Sequence, residues 1–313
     1  MNPYRGNHFF EFFLTLFRRL KGDFPQETLP SDEIQLLVLM GIALAGSIIG
    51  TFLTLKKMTM VANSLSHTIL LGIVMASVLF FSTTLNTDFK ILFLASLITA
   101  VLTAFLTQLL THQMRLQEDA SIGLVFTTLF ALGIIAVTVL TRDAHIGIEV
   151  IMGNVDALHE DDIWLVWTVA CIDGVVIFSL FKEFKITAFD GALALSLGIP
   201  SRFFSYLLML LTSMSCIGAF RAVGVLLVLS FIVGPVITAR LWTNRLKSLI
   251  FLASSLGMLS TLLGVALSRH FLSFYNMPLS TGGIVVTLIS LIFFLSALLT
   301  FRRDKGLIMG NYE

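Results

Sequence analysis

Lys56-Lys57-Met58-Thr59-Met60-Val61-Ala62-Asn63-Ser64-Leu65-Ser66-His67-Thr68-Ile69-Leu70-Leu71-Gly72 is the stretch from which the rest of the chain is read. Two lysines end one long apolar run, and a second run begins three residues later. The first two turns of that second run are polar. Asn63 and His67 are four residues apart, so on a helix they share a face, with Ser64 and Ser66 beside them. A histidine one or two turns inside a membrane helix turns to a bundle interior or a water-filled path rather than to lipid. Two readings stand side by side. The polar set is interhelical hydrogen-bond glue, or it lines a route for a polar solute.

The composition sets the class. Of 313 residues, 57% are hydrophobic and only 12% are charged, with a mean hydropathy of +0.95. A soluble domain carries about 25% charged residues. Long uncharged runs indicate an all-α, polytopic membrane helix bundle, because a helix satisfies its own backbone groups in lipid. The net charge of +1 argues against a nucleic-acid partner. Cys171 and Cys216 fall inside expected spans, so neither a disulfide framework nor a cysteine zinc site is indicated. The first residues lack the pattern of a signal peptide, so the spans themselves are expected to direct insertion.

Apolar runs lie at about 34–55, 61–81, 91–111, 121–140, 163–181, 202–219, 222–240, 247–268 and 281–301. Each is near the roughly 20 residues a span requires, which makes about nine transmembrane helices. The break between the sixth and seventh rests on Gly218, Arg221 and Gly224, with almost no loop. Before the first run, Phe9, Phe13, Leu16, Phe17 and Leu20 share a helical face, with Glu11 and Arg18 opposite. That stretch is too short to span and reads as an amphipathic helix at the interface, broken by Gly22, Pro25 and Pro30.

Orientation follows Lys and Arg. With the Lys56-Lys57 loop cytoplasmic, the same side holds 12 of the 20 basic residues and the opposite side four, the N-terminal segment holding the rest. The expected domains are an external amphipathic segment at 1–33, a transmembrane domain at 34–302 and a cytoplasmic tail at 303–313. Gly46 and Gly50 allow a close helix approach in the first span, and Gly257 and Gly264 sit one heptad apart in the eighth. Gly234-Pro235 is expected to kink the seventh.

Three further segments carry chemistry. Glu118-Asp119 opens the fourth span and suits the positive end of a helix dipole. Between the fifth and sixth spans, Asp190 is an N-cap and Gly198 with Pro200 a stop, which frames a short helix surfaced by Ala and Leu. It is either an interfacial connector or a knob that docks into a soluble partner. Between the fourth and fifth spans, Asp143, His145, Glu149, Asp156, His159, Glu160, Asp161 and Asp162 crowd one loop. Imidazole and carboxylate together suit zinc, manganese or iron(II), with His145, Glu149 and His159 as secondary ligand candidates, although a solvated loop is the favoured reading. The second histidine of H-E-x-x-H is missing after His159-Glu160, and no G-x-x-x-x-G-K-[ST] loop is present, so the chain is not expected to hydrolyse ATP.

These motifs, in this order, resemble the membrane permease subunit of the ABC importers for zinc, manganese or iron. Asn63-Ser64-Leu65-Ser66-His67 resembles that family's G-D-A-L-S-H-A element. Glu118-Asp119-Ala120-Ser121-Ile122-Gly123 with Val125-Phe126 resembles E-D-x-x-I-G-x-x-F. Phe189-Asp190 through Ala194 to Leu197-Gly198-Ile199-Pro200 resembles F-D-x-x-x-A-x-x-L-G-I-P. Ala222 to Leu227 and Pro235 to Arg240 are also similar, so the likeness runs from about residue 34 to 300.

The resemblance implies a fold like the cobalamin importers and a multi-pass protein of the plasma membrane, the inner one if the cell has two. It implies a second permease chain, a cytoplasmic pair of ATP-binding subunits and an external metal-binding protein. It makes Asp190, Ala194, Leu197 and Gly198 part of a coupling helix that fits the ATPase. It makes His67 and the residue at Asn63 weak, transient ligands of a divalent metal that is substrate, with no cofactor permanently bound. The family's aspartate is here Asn63, which contributes no charge. Either a paralogous partner supplies the acid in a heterodimer, or the path relies on His67 and outer carboxylates. A proton- or sodium-coupled secondary transporter is the alternative class, against which stands the scarcity of acids within spans, Asp173 apart. An intramembrane serine–histidine enzyme is disfavoured, since Ser64 or Ser66 and His67 lie too close on one helix.

Overall fold

Each of the nine apolar runs is a helix in the computed structural model, which describes residues 3–4, 6, 8–21, 29–81, 89–141 and 155–309. The described residues form twelve α-helices and no strand. Helix α1 is Phe9–Leu20, α2 Ser31–Leu55, α3 Thr59–Phe81, α4 Phe89–Gln113 and α5 Glu118–Ala136. A π-helical turn, Val137–Thr141, continues α5, and a 3₁₀ turn, Val155–Ala157, precedes α6, Glu160–Ser179. Then come α7 Phe181–Phe189, α8 Gly191–Ser196, α9 Ser201–Val223, α10 Val225–Trp242, α11 Leu246–Tyr275 and α12 Thr281–Met309. Among the described residues eight helices are long and apolar enough to cross a membrane. The remaining expected span is α3, a helix of 23 residues.

The difficult boundary, between the sixth and seventh spans, is a single residue. Gly224 has φ +80, a conformation that L side chains rarely adopt, and it alone separates α9 from α10. Neither Gly218 nor Arg221 breaks the helix. Pro235 stays inside α10 without ending it. At the other end of the chain α12 is helical to Met309.

The chain divides into two compact units. The first comprises Met1–Thr51, Asn154–Trp167 and Ser230–Glu313, and the second Phe52–Gly153 and Thr168–Leu229. In the first unit, glycines set how closely helices meet. A methyl group on Gly46 would lie 3.4 Å from the backbone N of Ile232, and one on Gly50 would collide with the Ile232 carbonyl. The Gly46/Gly50 pair therefore brings α2 against the backbone of α10. Gly257 faces Ala43 and Ser47 of α2, and Gly264 faces Val285 of α12. With no hydrophobic drive between helices in lipid, such close packing holds them together.

One end of this unit is polar. Arg269 of α11 grips Asp32 of α2 through one guanidinium edge, Nη2 donating to both carboxylate oxygens and Nε to Oδ1 at 2.8 Å. Their side chains are only 14% and 4% exposed. Glu33 takes Arg19 of α1 in an ion pair at 2.6 Å and accepts the Tyr4 hydroxyl at 2.6 Å. Burial first, then the bond to Glu33, raise the Tyr4 phenol well above its ordinary value, so it stays a donor. Among the described side chains of α1, Phe12 and Arg19 are buried, while Phe17 is 57% exposed with Lys21 over its ring. Arg19 tolerates its burial because the Glu33 carboxylate offsets it.

Arg269→Met would strand Asp32 in a buried site. The expected loss is about 3–5 kcal/mol, read as a lower thermal unfolding midpoint in detergent. The double variant with Asp32→Leu should recover most of it.

Candidate functional site

The second unit positions the sequence's organising stretch. Helix α2 ends in a left-handed turn at Lys57, with φ +61. Met58 N–H bonds back to the Leu53 carbonyl at 2.8 Å and Lys57 N–H to that of Thr54 at 3.2 Å, the double closure of a Schellman motif. Lys56 donates to Ser205 of α9 at 3.0 Å. The chain therefore re-enters the bundle at once as α3, and its polar turns fall just inside.

Helix α3 packs closely against α4 and α5. A methyl group on Gly72 would lie 2.8 Å from the Ala95 carbonyl oxygen of α4, and one on Gly133 of α5 would lie 3.3 Å from the Leu71 nitrogen. Asn63 and His67 are half-buried, one turn apart, and Ser64 is buried. The His67 ring lies 5.3 Å from Phe126 and 5.2 Å from Phe130 of α5, which stack on each other at 5.8 Å. Its Nδ1 is buried and has no hydrogen-bond partner among the described residues. An imidazole nitrogen held in an aromatic lining is a ligand-capable atom whose geometry is set by packing.

Phe126 belongs to a motif read in the sequence, but its place beside His67 was not visible there. Phe130, one turn further, carried no signal except that spacing. Two other expected features lie elsewhere. Asp173 of α6 is fully buried and accepts the Ser215 hydroxyl of α9, while its Oδ1 has no partner among the described residues. Cys216 is buried, and both cysteines are free.

The short connector folds as read. The Asp190 carboxylate accepts the N–H groups of Ala192 at 2.9 Å and Leu193 at 3.0 Å, which caps α8. Gly198, at φ +76, closes it with Ile199 N–H bonded to the Ala194 carbonyl at 2.8 Å. Ala194 is fully buried, whereas Phe189, Leu193, Leu195 and Leu197 are all about half exposed or more.

The acids of the loop before α6 separate. His145 and Glu149 lie outside the described residues. His159 is exposed, and its backbone N–H donates to Asp162 at 3.0 Å, so that carboxylate caps α6. In the first unit Asp156 accepts Thr281 at 2.7 Å and Gln35 at 3.4 Å, beside a polar cavity of about 270 Å³ that also borders Asp32, Ser268 and Arg269. Among the described residues no three of His, Cys, Asp and Glu are gathered as a metal cage.

The model of the ABC 3 transport family matches residues 34–300. The chain belongs to that family. A Chlamydia muridarum protein named "Probable metal transport system membrane protein" is 40% identical over 99% of this chain and 98% of its own length. The manganese transport system membrane protein MntD of Bacillus subtilis is 36% identical over 72% of this chain and 79% of its own. Among solved structures, PsaBC from Streptococcus pneumoniae in complex with Fab is similar at a TM-score of 0.69 and 26% identity, over 84% of this chain and 90% of that one. Like other ABC 3 transport proteins it is a multi-pass membrane protein. The Chlamydia likeness extends through the N-terminal helix, which the family match leaves out.

Asp190→Ala removes both capping bonds of α8. The expected cost is about 1 kcal/mol, confined to that helix. Amide exchange at Ala192 and Leu193 should accelerate while exchange in α9 stays as it was.

Proposed function

We propose that this chain is the membrane permease subunit of an ATP-driven importer of a divalent transition metal, with manganese the first candidate and zinc and iron(II) behind it. The observation that carries the reading is His67. It is half-buried inside α3, has Asn63 one turn before it, and presents an unpartnered nitrogen against two phenyl rings. The family membership and the manganese named for MntD support the choice of cargo. Imidazole nitrogen and amide oxygen accept such cations, and neutral ligands hold them weakly enough for release.

The mechanism is alternating access. A separate pair of cytoplasmic ATP-binding subunits closes on ATP, and the exposed Leu193, Leu195 and Leu197 of α8 dock on them and carry the motion inward. An external metal-binding protein delivers the ion at the opposite end. Only differential affinity for the two states shifts the equilibrium. A second permease chain completes the path. If it is a paralogue, it supplies the carboxylate that Asn63 lacks; if it is a second copy, His67 from each chain and outer carboxylates serve instead. The whole sits in the plasma membrane.

Asp173, a buried acid inside a span, favours a second reading, a proton-coupled secondary transporter. Uptake by vesicles holding the chain with its ATP-binding and metal-binding partners separates the two. ATP-dependent manganese uptake, lost at least about tenfold in His67→Ala, is the expected result. Uptake that ignores ATP and follows a proton gradient would overturn it.

A further inference from the structure

The side of the His67 imidazole that faces α5 is dry. Its Nδ1 is buried and has no hydrogen-bond partner among the described residues. The Phe126 and Phe130 rings stand against the imidazole at 5.3 and 5.2 Å, tilted 43° and 60° to its plane. They lie one turn apart on α5 and stack on each other at 5.8 Å, 20° from parallel. Phe130 is held from behind, where it packs on the buried pair Val74 and Val137. One turn on, Gly133 lets the α5 backbone close on Leu71 of α3. The hydroxyls that flank these rings donate elsewhere. Thr68 donates to the Leu65 carbonyl at 3.3 Å, and Thr127 and Thr128 to those of Gly123 at 2.9 Å and Leu124 at 2.8 Å.

A metal-binding histidine ordinarily donates its second ring N–H to a carboxylate, a carbonyl or a water, which strengthens it as a ligand. Here that side is lined by phenyl rings, which supply no oxygen and order no water. A cation that meets His67 must leave its water behind on that side. This cost separates divalent ions. Magnesium demands oxygen ligands in strict geometry and sheds water reluctantly, whereas transition-metal ions exchange water for imidazole nitrogen more readily.

We propose that Phe126 and Phe130 are specificity-determining residues, a dry wall behind His67 that passes a partly dehydrated transition-metal ion and refuses magnesium. This rests on the metal-permease reading and adds how the path tells its cargo from another ion of the same charge. With no acceptor behind it, the imidazole also stays a weak ligand, which suits release.

The test uses the permease assembled with its ATP-binding partners in vesicles, without nucleotide and without the external metal-binding protein, so that only the path chooses. Bound manganese is read by pulsed electron paramagnetic resonance, which reports imidazole nitrogen and the number of bound waters, while magnesium competes. Wild type should show nitrogen coupling that His67→Ala abolishes, and excess magnesium should not displace the manganese. Phe130→Gln should add water to the bound ion and let magnesium compete about tenfold better. Phe130→Leu, which stays apolar, should discriminate as wild type does. If Phe130→Gln folds and still discriminates like wild type, the rings only pack and there is no wall. Phe126→Gln answers the same question where Phe130→Gln does not fold. Equal loss of discrimination in Phe130→Leu and Phe130→Gln overturns the wall as well, since shape and not dryness would then matter. Magnesium displacing manganese from wild type on equal terms overturns it whether or not any variant folds. Nitrogen coupling that depends on His67 while the glutamine variants match wild type sinks the wall alone; wild type that shows no such coupling sinks the metal reading of His67 and the wall with it.

Discussion

In hydrocarbon there is no water to hydrogen-bond a backbone, and apolar side chains gain nothing by leaving lipid for each other. Everything in this structure follows from that constraint. The first consequence is that the spans are helices. The second is that helices associate only where their backbones come close enough for dispersion and weak polar contacts to hold them. Gly50 against Ile232, Gly264 against Val285 and Gly72 against Ala95 are those places. At each, a single methyl group would force the helices apart, so position depends on the absence of a side chain.

The same constraint makes polar side chains informative. Most of those in the spans look after themselves. Thr99, Thr103, Thr107, Thr212 and Thr238 each donate a hydroxyl to the carbonyl four residues earlier, at little cost to the helix. Arg269 and Asp32 take care of each other at the end of the first unit. His67 and Ser64 on α3, Gln108 on α4, Asp173 on α6, Ser47 and Thr54 on α2 and Ser254 and His270 on α11 retain buried atoms that do neither. In a medium that penalises an unmet polar group, these are the positions where packing alone gives no reason for the residue chosen, and three of the eight lie on the adjacent helices α3 and α4.

Two of the connecting segments differ in kind. The connector from α7 to α9 is locally determined: a carboxylate at Asp190 caps it, a positive φ at Gly198 ends it, and both can be read from residue type. The acids before α6 are not. Asp156 and Asp162 look alike in the sequence, yet one binds Thr281 and Gln35 and the other caps a helix. A carboxylate has no preference among donors until the fold brings one within reach.

By itself the sequence determined the class, the nine spans, the short capped connector and the helical face shared by Asn63 and His67. All of these depend on hydrophobicity, on residue-specific backbone preference and on the period of one helix, which are local properties. It left the tight seam at Gly224 among three candidates, because a helix break of one residue has no loop to announce it. It did not show that Arg19 of α1 is buried, because a buried arginine needs a partner that only folding supplies. Tertiary structure alone decided which aromatic rings enclose His67, which glycines touch a neighbour and which buried oxygens remain unpaired. Those are properties of two helices at once, set by register and distance, and no stretch of one chain carries them.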